Sequence, residues 1–221
     1  MSIYKNGLGD ELINPFNYNS EILLYLEEEK KIIKRLCLQF EVIVECGCMN
    51  GRNFELISSF GRKYIGVDII DRYIHEAQKK YQNSKKCLFI CGDIINISHI
   101  LHDRGIPVSD SMVLIFPFNS FGNVLDAQRT LKVLLKDGFN VAIFTYKIDE
   151  HTNSVRVDYY NKSGFNSLKK EMSSDVVRFY SSNGLNSKAY SKDWFSENAK
   201  GSKYHFNSVY FSNIGVLYKN F

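Results

Sequence analysis

Three acidic residues in the first half of the chain each end an apolar run: Glu45, Asp68 and Asp93. The first is followed by two glycines, Gly47 and Gly51, and then by a segment of helical character. Glycine lets a backbone approach a ligand closely, and a helix start offers N–H groups without partners inside the helix. A carboxylate at a strand end can accept hydrogen bonds from sugar hydroxyls. Together these residues predict a pocket for a nucleoside or nucleotide.

The glycine spacing excludes two common nucleotide motifs. Counted from Gly47, the next two glycine positions of a dinucleotide fingerprint hold Met49 and Arg52. The Gly-Lys-Ser/Thr of a phosphate loop occurs nowhere in the sequence. What remains is an acid-x-Gly-x-x-x-Gly pattern that begins at Glu45 and ends at Gly51.

Apolar strands that alternate with helices surround these residues. A first helix is predicted over 20–36, with Ser20 as its cap. The strands predicted next are 41–46, 63–68, 87–91, 111–117 and 140–146, and the helices between them are 53–60, 71–81, 96–104 and 123–136. Such alternation is typical of a parallel sheet covered on both faces, where ligands bind at the carboxyl ends of the strands. The three acids are therefore expected at one edge of the sheet.

The pattern changes after residue 147. Alternating residues predict strands at 155–160 and 176–181, followed by a short helix at 192–199. We expect one domain of 1–221, without linker or repeat. Its expected parts are an N-terminal flap (1–19), a core (41–147), an aromatic-rich lid insertion (148–190) and a terminal hairpin (204–219).

The acid-ended strands, taken in order, resemble the class I S-adenosylmethionine (SAM)-dependent methyltransferases. The first motif of that family usually reads acid-x-Gly-x-Gly-x-Gly, and Met49 stands here at the central glycine position. The later motifs correspond to Asp68, Asp93 and the segment 115–123. The resemblance covers residues 20–147 in order and spacing, and the terminal hairpin more loosely. It implies an α/β, Rossmann-like, doubly wound and mostly parallel seven-stranded sheet, with an antiparallel last strand and the inserted lid.

The resemblance also implies where SAM would bind. The glycine turn and the helix start after it would hold the methionine part, Asp68 the ribose and Asp93 the adenine. The residues that the resemblance assigns to the cofactor are Glu45, Gly47, Cys48, Met49, Gly51, Asp68, Ile69, Asp93, Ile94 and Phe116. An alternative role for Asp93 is to cap the helix that follows it.

Met49 raises a question about the backbone. If its φ is negative, methionine costs little there and its thioether lines the pocket. If its φ is positive, the side chain costs about 1 kcal/mol and could crowd the cofactor, as in a degenerate, non-catalytic relative. Because Gly47 and Gly51 remain as glycines, we expect a negative φ.

The expected activity is transfer of a methyl group to a nitrogen or oxygen of a small molecule by in-line displacement. The candidate catalytic residues are Asn119, Tyr160 and His151. Asn119 could orient the acceptor or bond a local turn, and His151 could be a plain loop histidine. Aromatic residues crowd the lid at Tyr159, Tyr160, Phe179, Tyr180 and Tyr190. They could enclose a cationic or planar acceptor, or pack the lid onto the sheet.

Composition narrows the class of protein. A net charge of +4 without basic runs longer than two residues disfavours a nucleic-acid partner. The apolar runs are too short for a membrane span, and the first 19 residues do not resemble a signal peptide, so a cytoplasmic location is expected. No metal site is expected, because the five cysteines and five histidines lack ligand spacing. An RNA or protein methyltransferase, and a non-catalytic SAM-fold binding protein, remain as alternatives, and the oligomeric state stays open.

Overall fold

The structure is a computed structural model that describes residues 2–5 and 7–221. The strands are β1 (Val42–Cys46), β2 (Lys63–Asp68), β3 (Cys87–Cys91), β4 (Met112–Phe116), β5 (Asn140–Tyr146), β6 (Lys169–Met172), β7 (Val176–Tyr180), β8 (Asn186–Tyr190), β9 (Asn207–Phe211) and β10 (Gly215–Lys219). The helices are α1 (Ser2–Lys5), α2 (Leu8–Glu11), α3 (Ser20–Gln39), α4 (Phe54–Ser59), α5 (Asp71–Lys80), α6 (Ile97–His102), α7 (Ala127–Lys136), α8 (Glu150–Lys162) and α9 (Lys192–Asn198). None of the described helices has both the length and the apolar character needed to cross a bilayer.

Within the described residues, seven strands form one sheet in the order β3-β2-β1-β4-β5-β10-β9. Strands β1 to β5 run parallel, and β10 is antiparallel to both of its neighbours. This topology confirms the predicted Rossmann-like sheet with an antiparallel last strand. Glu45 pairs with Gly66 of β2 and Ile115 of β4, so the ends of the three central strands lie side by side.

The central strands read as continuous apolar runs because helices cover both faces of the sheet. Ile43 belongs to a buried cluster with Ile33 of α3 and Ile57 of α4. Its neighbour Val44 points to the opposite face and packs in a second cluster with Leu131 of α7. The two clusters fix the sheet, and with it the loops at the carboxyl ends of its strands.

Helix α3 begins one residue away from the predicted cap. The side chain of Asn19, rather than Ser20, accepts a hydrogen bond from the Ile22 N–H at 3.0 Å. The buried residues of this helix recur at three- to four-residue spacing and include one acid: Ile22, Tyr25, Glu29, Ile33, Leu36 and Cys37. The helix therefore places a carboxylate inside its apolar face.

The predicted strand at 155–160 is wrong, because this segment lies in helix α8. Val155 and Val157 favour a strand locally, but the buried residues follow a helical repeat, with Thr152, Arg156 and Tyr159 on one face. Asp149 caps the helix by accepting a hydrogen bond from the Thr152 N–H at 2.8 Å. Packing of this face overrides the local β-propensity.

After α8 the chain forms a separate antiparallel sheet in the order β6-β7-β8, which we call the lid sheet. Its middle strand β7 corresponds to the strand predicted at 176–181. The sequence does not predict the two outer strands, because neither has the alternating apolar pattern: β6 is exposed along its whole length and β8 begins with polar residues. Strand β8 brings Asn186 and Ser187 to the main pocket, and the turn before it brings Gly184.

Two glycines with similar backbone angles provide a matched test of the turn after β1. Gly51 has φ +85°, and a Cβ there would lie 2.9 Å from carbons of both Phe89 and Tyr81. Gly61 has φ +73°, and a Cβ there would meet no described atom within 4 Å. Gly61→Ala should cost about 1 kcal/mol through its φ alone. Gly51→Ala should cost roughly 1–3 kcal/mol more, because the rings must move. Urea unfolding measures both, and equal losses would contradict the tight packing at Gly51.

Candidate functional site

A pocket lies at the carboxyl ends of β1, β2 and β4, where the N-terminal residues and the lid sheet also meet. The predicted cofactor residues that line it are Gly47, Met49, Asp68, Ile69, Asp93, Ile94 and Phe116. Glu45, Cys48 and Gly51 are buried and lie outside this lining. The strand ends therefore bring seven of the ten predicted cofactor residues together in the pocket lining, and the other three are buried outside it.

Asp68 ends β2 and ties together two loops of the pocket. One carboxylate oxygen accepts a hydrogen bond from the Met49 N–H and the other from the Ile70 N–H, both at 2.9 Å. Burial raises the pKa of this carboxyl, while the backbone donors oppose the rise. Each oxygen keeps a second lone pair. The side chain lines the pocket, so it can accept hydroxyl hydrogens there while it holds the loops.

Met49 adopts a positive φ of 49°, so the expected negative φ is wrong. In this conformation its N–H donates to Asp68, which offsets part of a strain of about 1 kcal/mol. The side chain packs with Ile70 and Tyr73. The residue thus takes the left-handed conformation that favours glycine, and its thioether is anchored among apolar neighbours.

Glu45 is fully buried and bonds away from the pocket. Its carboxylate accepts hydrogen bonds from the Tyr64 hydroxyl at 2.5 Å and from the Asn53 side-chain amide at 2.7 Å. Burial raises the pKa of Glu45 to about 7, even though Tyr64, Arg52 and Asn53 favour the charged form. The acid that opens the first motif therefore fixes the end of β1 to β2 and to the start of α4.

A second buried acid, Glu29 of α3, was not singled out from the sequence. Its carboxylate forms an ion pair with Arg52 at 2.8 Å and accepts a hydrogen bond from the Phe118 N–H at 2.6 Å. Burial raises the pKa of Glu29, and the Arg52 guanidinium opposes this rise. Arg52 lines the pocket and lies over the Phe118 ring at 4.9 Å. The signal was present in the sequence, since the helical repeat of α3 puts Glu29 on its buried face.

The turn after β4 contains two successive residues with positive φ, Phe118 at 47° and Asn119 at 58°. Asn119 is buried, and its side-chain amide makes its hydrogen bonds to residues outside the turn. Its oxygen accepts from the Thr145 hydroxyl at 2.6 Å, and its nitrogen donates to the Ser187 hydroxyl at 3.0 Å. Strained non-glycine residues of this kind cluster at functional sites. Asn119 therefore joins β4, β5 and the lid sheet at the pocket.

The lid side of the pocket carries hydroxyl groups on aromatic walls. Tyr160 of α8 lines the pocket, and its hydroxyl lies 2.9 Å from that of Ser187. The Arg156 Nε donates to the same Tyr160 oxygen at 3.3 Å. His151, the third candidate catalytic residue, lies exposed in the first turn of α8 and outside the pocket lining. The structure therefore brings Asn119 and Tyr160 to one site and leaves His151 outside.

N-terminal residues cover part of the pocket. Ile3, Tyr4, Leu12 and Ile13 contribute to its lining. The Tyr4 hydroxyl accepts a hydrogen bond from the Asn123 amide at 3.0 Å, and the Tyr159 hydroxyl donates to the Leu12 carbonyl. These bonds hold the segment against the ends of the central strands.

The end of β3 forms an open side of the pocket. Asp93 is exposed and caps a short 3-10 helix by accepting a hydrogen bond from the Ile95 N–H at 3.2 Å. It also lines the pocket beside Ile69 and Ile94. Both alternatives raised for Asp93 are thus compatible, because one carboxylate oxygen caps the helix and the other stays available. An apolar slot with one acid suits a planar, nitrogen-rich ring.

Comparison with known proteins finds one matching family model and several solved structures with a similar fold. Residues 44–138 match the family model described as a methyltransferase domain. A magnesium protoporphyrin IX methyltransferase from Synechocystis, solved with S-adenosylhomocysteine bound, superposes with a TM-score of 0.64 and 9% identity over 98% of this chain and 93% of that chain. No curated protein sequence matches the chain.

Two other solved structures share the architecture. A SAM-dependent methyltransferase from Aquifex aeolicus has a TM-score of 0.55 and 13% identity, over 89% of this chain and 90% of that one. A 1,6-didemethyltoxoflavin-N1-methyltransferase from Burkholderia thailandensis has a TM-score of 0.57 and 8% identity, over 89% and 78% of the two chains. At such low identities the likeness shows a common fold.

The buried carboxyl of Glu45 should make stability depend on pH. Its pKa rises from an ordinary 4.5 to about 7 in the folded chain, so the folded state holds this proton more tightly than the unfolded state. The resulting stabilisation is complete below about pH 4.5 and disappears as the pH rises through about 7. Glu45→Gln mimics the protonated carboxyl. The variant should therefore avoid a loss of up to about 3 kcal/mol in the free energy of unfolding.

Urea unfolding at a series of pH values measures this difference. The matched control is Glu41→Gln, which changes an exposed acid just before the same strand and should follow the wild-type pH dependence. Parallel pH curves for the wild type and the Glu45→Gln variant would contradict the raised pKa.

Proposed function

We propose that this chain is a SAM-dependent methyltransferase, which transfers a methyl group from SAM to a nitrogen or oxygen of a small molecule. The match of residues 44–138 to the methyltransferase domain model supports the proposal. The observation that carries the proposal is the convergence of Asp68, Asp93 and the Gly47 turn on one pocket at the carboxyl ends of the parallel strands.

The residues of the pocket fit SAM. A Cβ at position 47 would lie 2.9 Å from the Ser120 Cβ, so glycine allows the turns after β1 and β4 to pack closely where both line the pocket. We assign the ribose hydroxyls to Asp68, the adenine to the slot at Asp93 and the methionine part to the turn at Gly47. Arg52 supplies a cation near this turn for the carboxylate of the methionine part.

Bound SAM supplies a methyl group that is already activated by its sulfonium sulfur. What the chain must add is alignment of the acceptor and exclusion of water, and alignment can supply up to about 7–11 kcal/mol in good cases. The N-terminal residues around Tyr4 and the lid residue Tyr159 close the pocket against solvent. Asn119 positions Ser187, and we assign orientation of the acceptor to Tyr160 and Ser187.

The aromatic lining supports a small acceptor. Aromatic rings line the acceptor side at Phe118, Tyr146, Tyr159 and Tyr160. Such walls suit a compact, partly planar molecule. Two of the structures that share the fold are a 1,6-didemethyltoxoflavin-N1-methyltransferase and a magnesium protoporphyrin IX methyltransferase, and both names refer to ring compounds. We therefore favour a small-molecule acceptor over RNA or protein.

The first test of this proposal is the affinity for SAM. Asp68→Ala removes the acceptor of two backbone N–H groups and of the proposed ribose contacts. We expect calorimetry to show SAM binding to the wild type and about tenfold to a hundredfold weaker binding to the variant.

The matched control for this experiment is Asp71→Ala. It removes an exposed acid three residues later that lies outside the pocket lining, and it should leave the affinity for SAM unchanged. Full affinity in the Asp68→Ala variant would rule out the ribose assignment. Absence of heat with the wild type would instead favour a non-catalytic binding protein.

A second test concerns the transfer step. Tyr160→Phe removes the hydroxyl that donates to Ser187 and keeps the ring that lines the pocket. With methyl-labelled SAM and a protein-free metabolite extract, the variant should transfer label about tenfold to a hundredfold more slowly than the wild type. Its affinity for SAM should be unchanged.

The control lies on the same helix, since His151→Ala changes an exposed side chain and should keep the wild-type rate. An undiminished rate in the Tyr160→Phe variant would remove Tyr160 from the site. Label that enters RNA or protein instead of metabolites would overturn the small-molecule assignment.

A further inference from the structure

Several aromatic residues near the pocket surround an arginine side chain of the protein itself, rather than an open space for a cationic acceptor. Arg156 of α8 is fully buried. Its guanidinium carbon lies 4.6 Å from the ring centre of Phe179, 4.8 Å from that of Tyr146 and 5.7 Å from that of Tyr160. Tyr146 and Tyr160 also line the pocket, so the cation lies directly behind its wall. A second, cationic group would be repelled from this side.

The charge of Arg156 is not neutralised within the described part of the chain. Its Nε donates to the Tyr160 hydroxyl at 3.3 Å, and its Nη2 donates to the carbonyl and hydroxyl oxygens of Ser187 at 3.2 and 3.4 Å. Its Nη1 is buried without a hydrogen-bond partner among the described residues. Arginine stays charged in proteins, and a buried charge is costly unless an opposite charge accompanies it.

The other buried charges of this region are already committed. Glu29 pairs with Arg52 at 2.8 Å and with the Phe118 N–H. Glu29 is therefore engaged by Arg52, and no carboxylate among the described residues forms an ion pair with Arg156. The site lacks one negative charge.

The hydrogen bonds around Ser187 show where that charge would lie. The Ser187 oxygen is within bonding distance of the Asn119 amide, the Arg156 guanidinium and the Tyr160 hydroxyl. A hydroxyl has two lone pairs and one hydrogen. The Asn119 amide and the Tyr160 hydroxyl donate to these two lone pairs, and the Arg156 Nη2 divides its donation between this oxygen and the Ser187 carbonyl. The Ser187 hydrogen has no acceptor among the described residues, so it is left to point at a partner in the pocket that Ser187 lines.

We propose that the methyl acceptor carries a carboxylate that binds against Tyr160 and Ser187, with Arg156 behind them as its counter-charge. This inference rests on the proposed function, since it names the class of acceptor for the same site. Arg156 is a positioning residue, because it acts through Tyr160 and Ser187. Neutral acceptors lose the charge attraction, and cationic ones meet repulsion.

Three probes that share a ring and differ in charge test the proposal: benzoate, benzamide and benzylamine. Calorimetry measures their binding to the wild type, with and without saturating S-adenosylhomocysteine. We expect benzoate to bind at least about tenfold more tightly than benzamide, and benzylamine to bind least. In the Arg156→Met variant the preference for benzoate should vanish.

Two further variants separate a binding role from a structural one. Arg178→Met changes a half-buried arginine of β7 that pairs with Glu171 and lies outside the pocket lining, and it should keep the charge preference. Arg156→Lys keeps a cation and should retain part of the preference. Arg156→Met should melt at or above the wild-type temperature, because methionine fills the aromatic site without a buried charge.

The readouts distinguish this proposal from the proposed function. Failure of the wild type to bind SAM or S-adenosylhomocysteine would overturn the function, whereas the charge preference is measured independently without cofactor. Equal binding of the three probes, a preference for benzylamine, absence of benzoate binding, or a preference that persists in the Arg156→Met variant would each overturn the carboxylate assignment.

Discussion

The pocket depends on buried carboxylates that accept hydrogen bonds from the loops at the strand ends. Asp68 holds the loops after β1 and β2, Glu29 holds the turn after β4, and Glu45 holds the start of α4. A buried N–H that lacks a partner costs about 1–3 kcal/mol, so each acid stabilises a loop that would otherwise not remain in place. Of the three, Asp68 also lines the pocket, so one side chain both holds the loops and presents a carboxylate to the pocket.

Much of the fold and of the cofactor side follows from the sequence. Continuous apolar runs between amphipathic helices determine a two-sided parallel sheet, and chain order then determines which strand ends are neighbours. That reasoning was enough to place Asp68, Asp93 and Gly47 at one edge. The position of Glu45 could not be predicted in this way, because a carboxylate at a strand end can turn into the core as readily as toward a ligand. Only the partners Tyr64 and Asn53 decide the direction.

The acceptor side could not be predicted in the same way. The segment 155–160 reads as a strand locally, and it becomes a helix because Arg156 and Tyr159 must face the sheet together. The partners of Arg156 lie far along the chain, at Tyr146, Phe179 and Ser187, and no local spacing indicates them. The left-handed backbone of Met49 likewise depends on a hydrogen bond to a residue in another strand.

The two sides of the pocket come from different stretches of the chain. The residues to which we assign SAM lie within residues 44–138, whereas α8 and the lid sheet are built by residues 150–190. Side-chain bonds between them are few, and the Asn119–Ser187 bond is the clearest. Substitutions confined to the lid leave unchanged the residues to which we assign SAM, which gives natural selection and laboratory evolution a segment to vary. A library confined to residues 150–190, with Asn119 kept constant, is the natural starting point for redirecting this scaffold toward new acceptors.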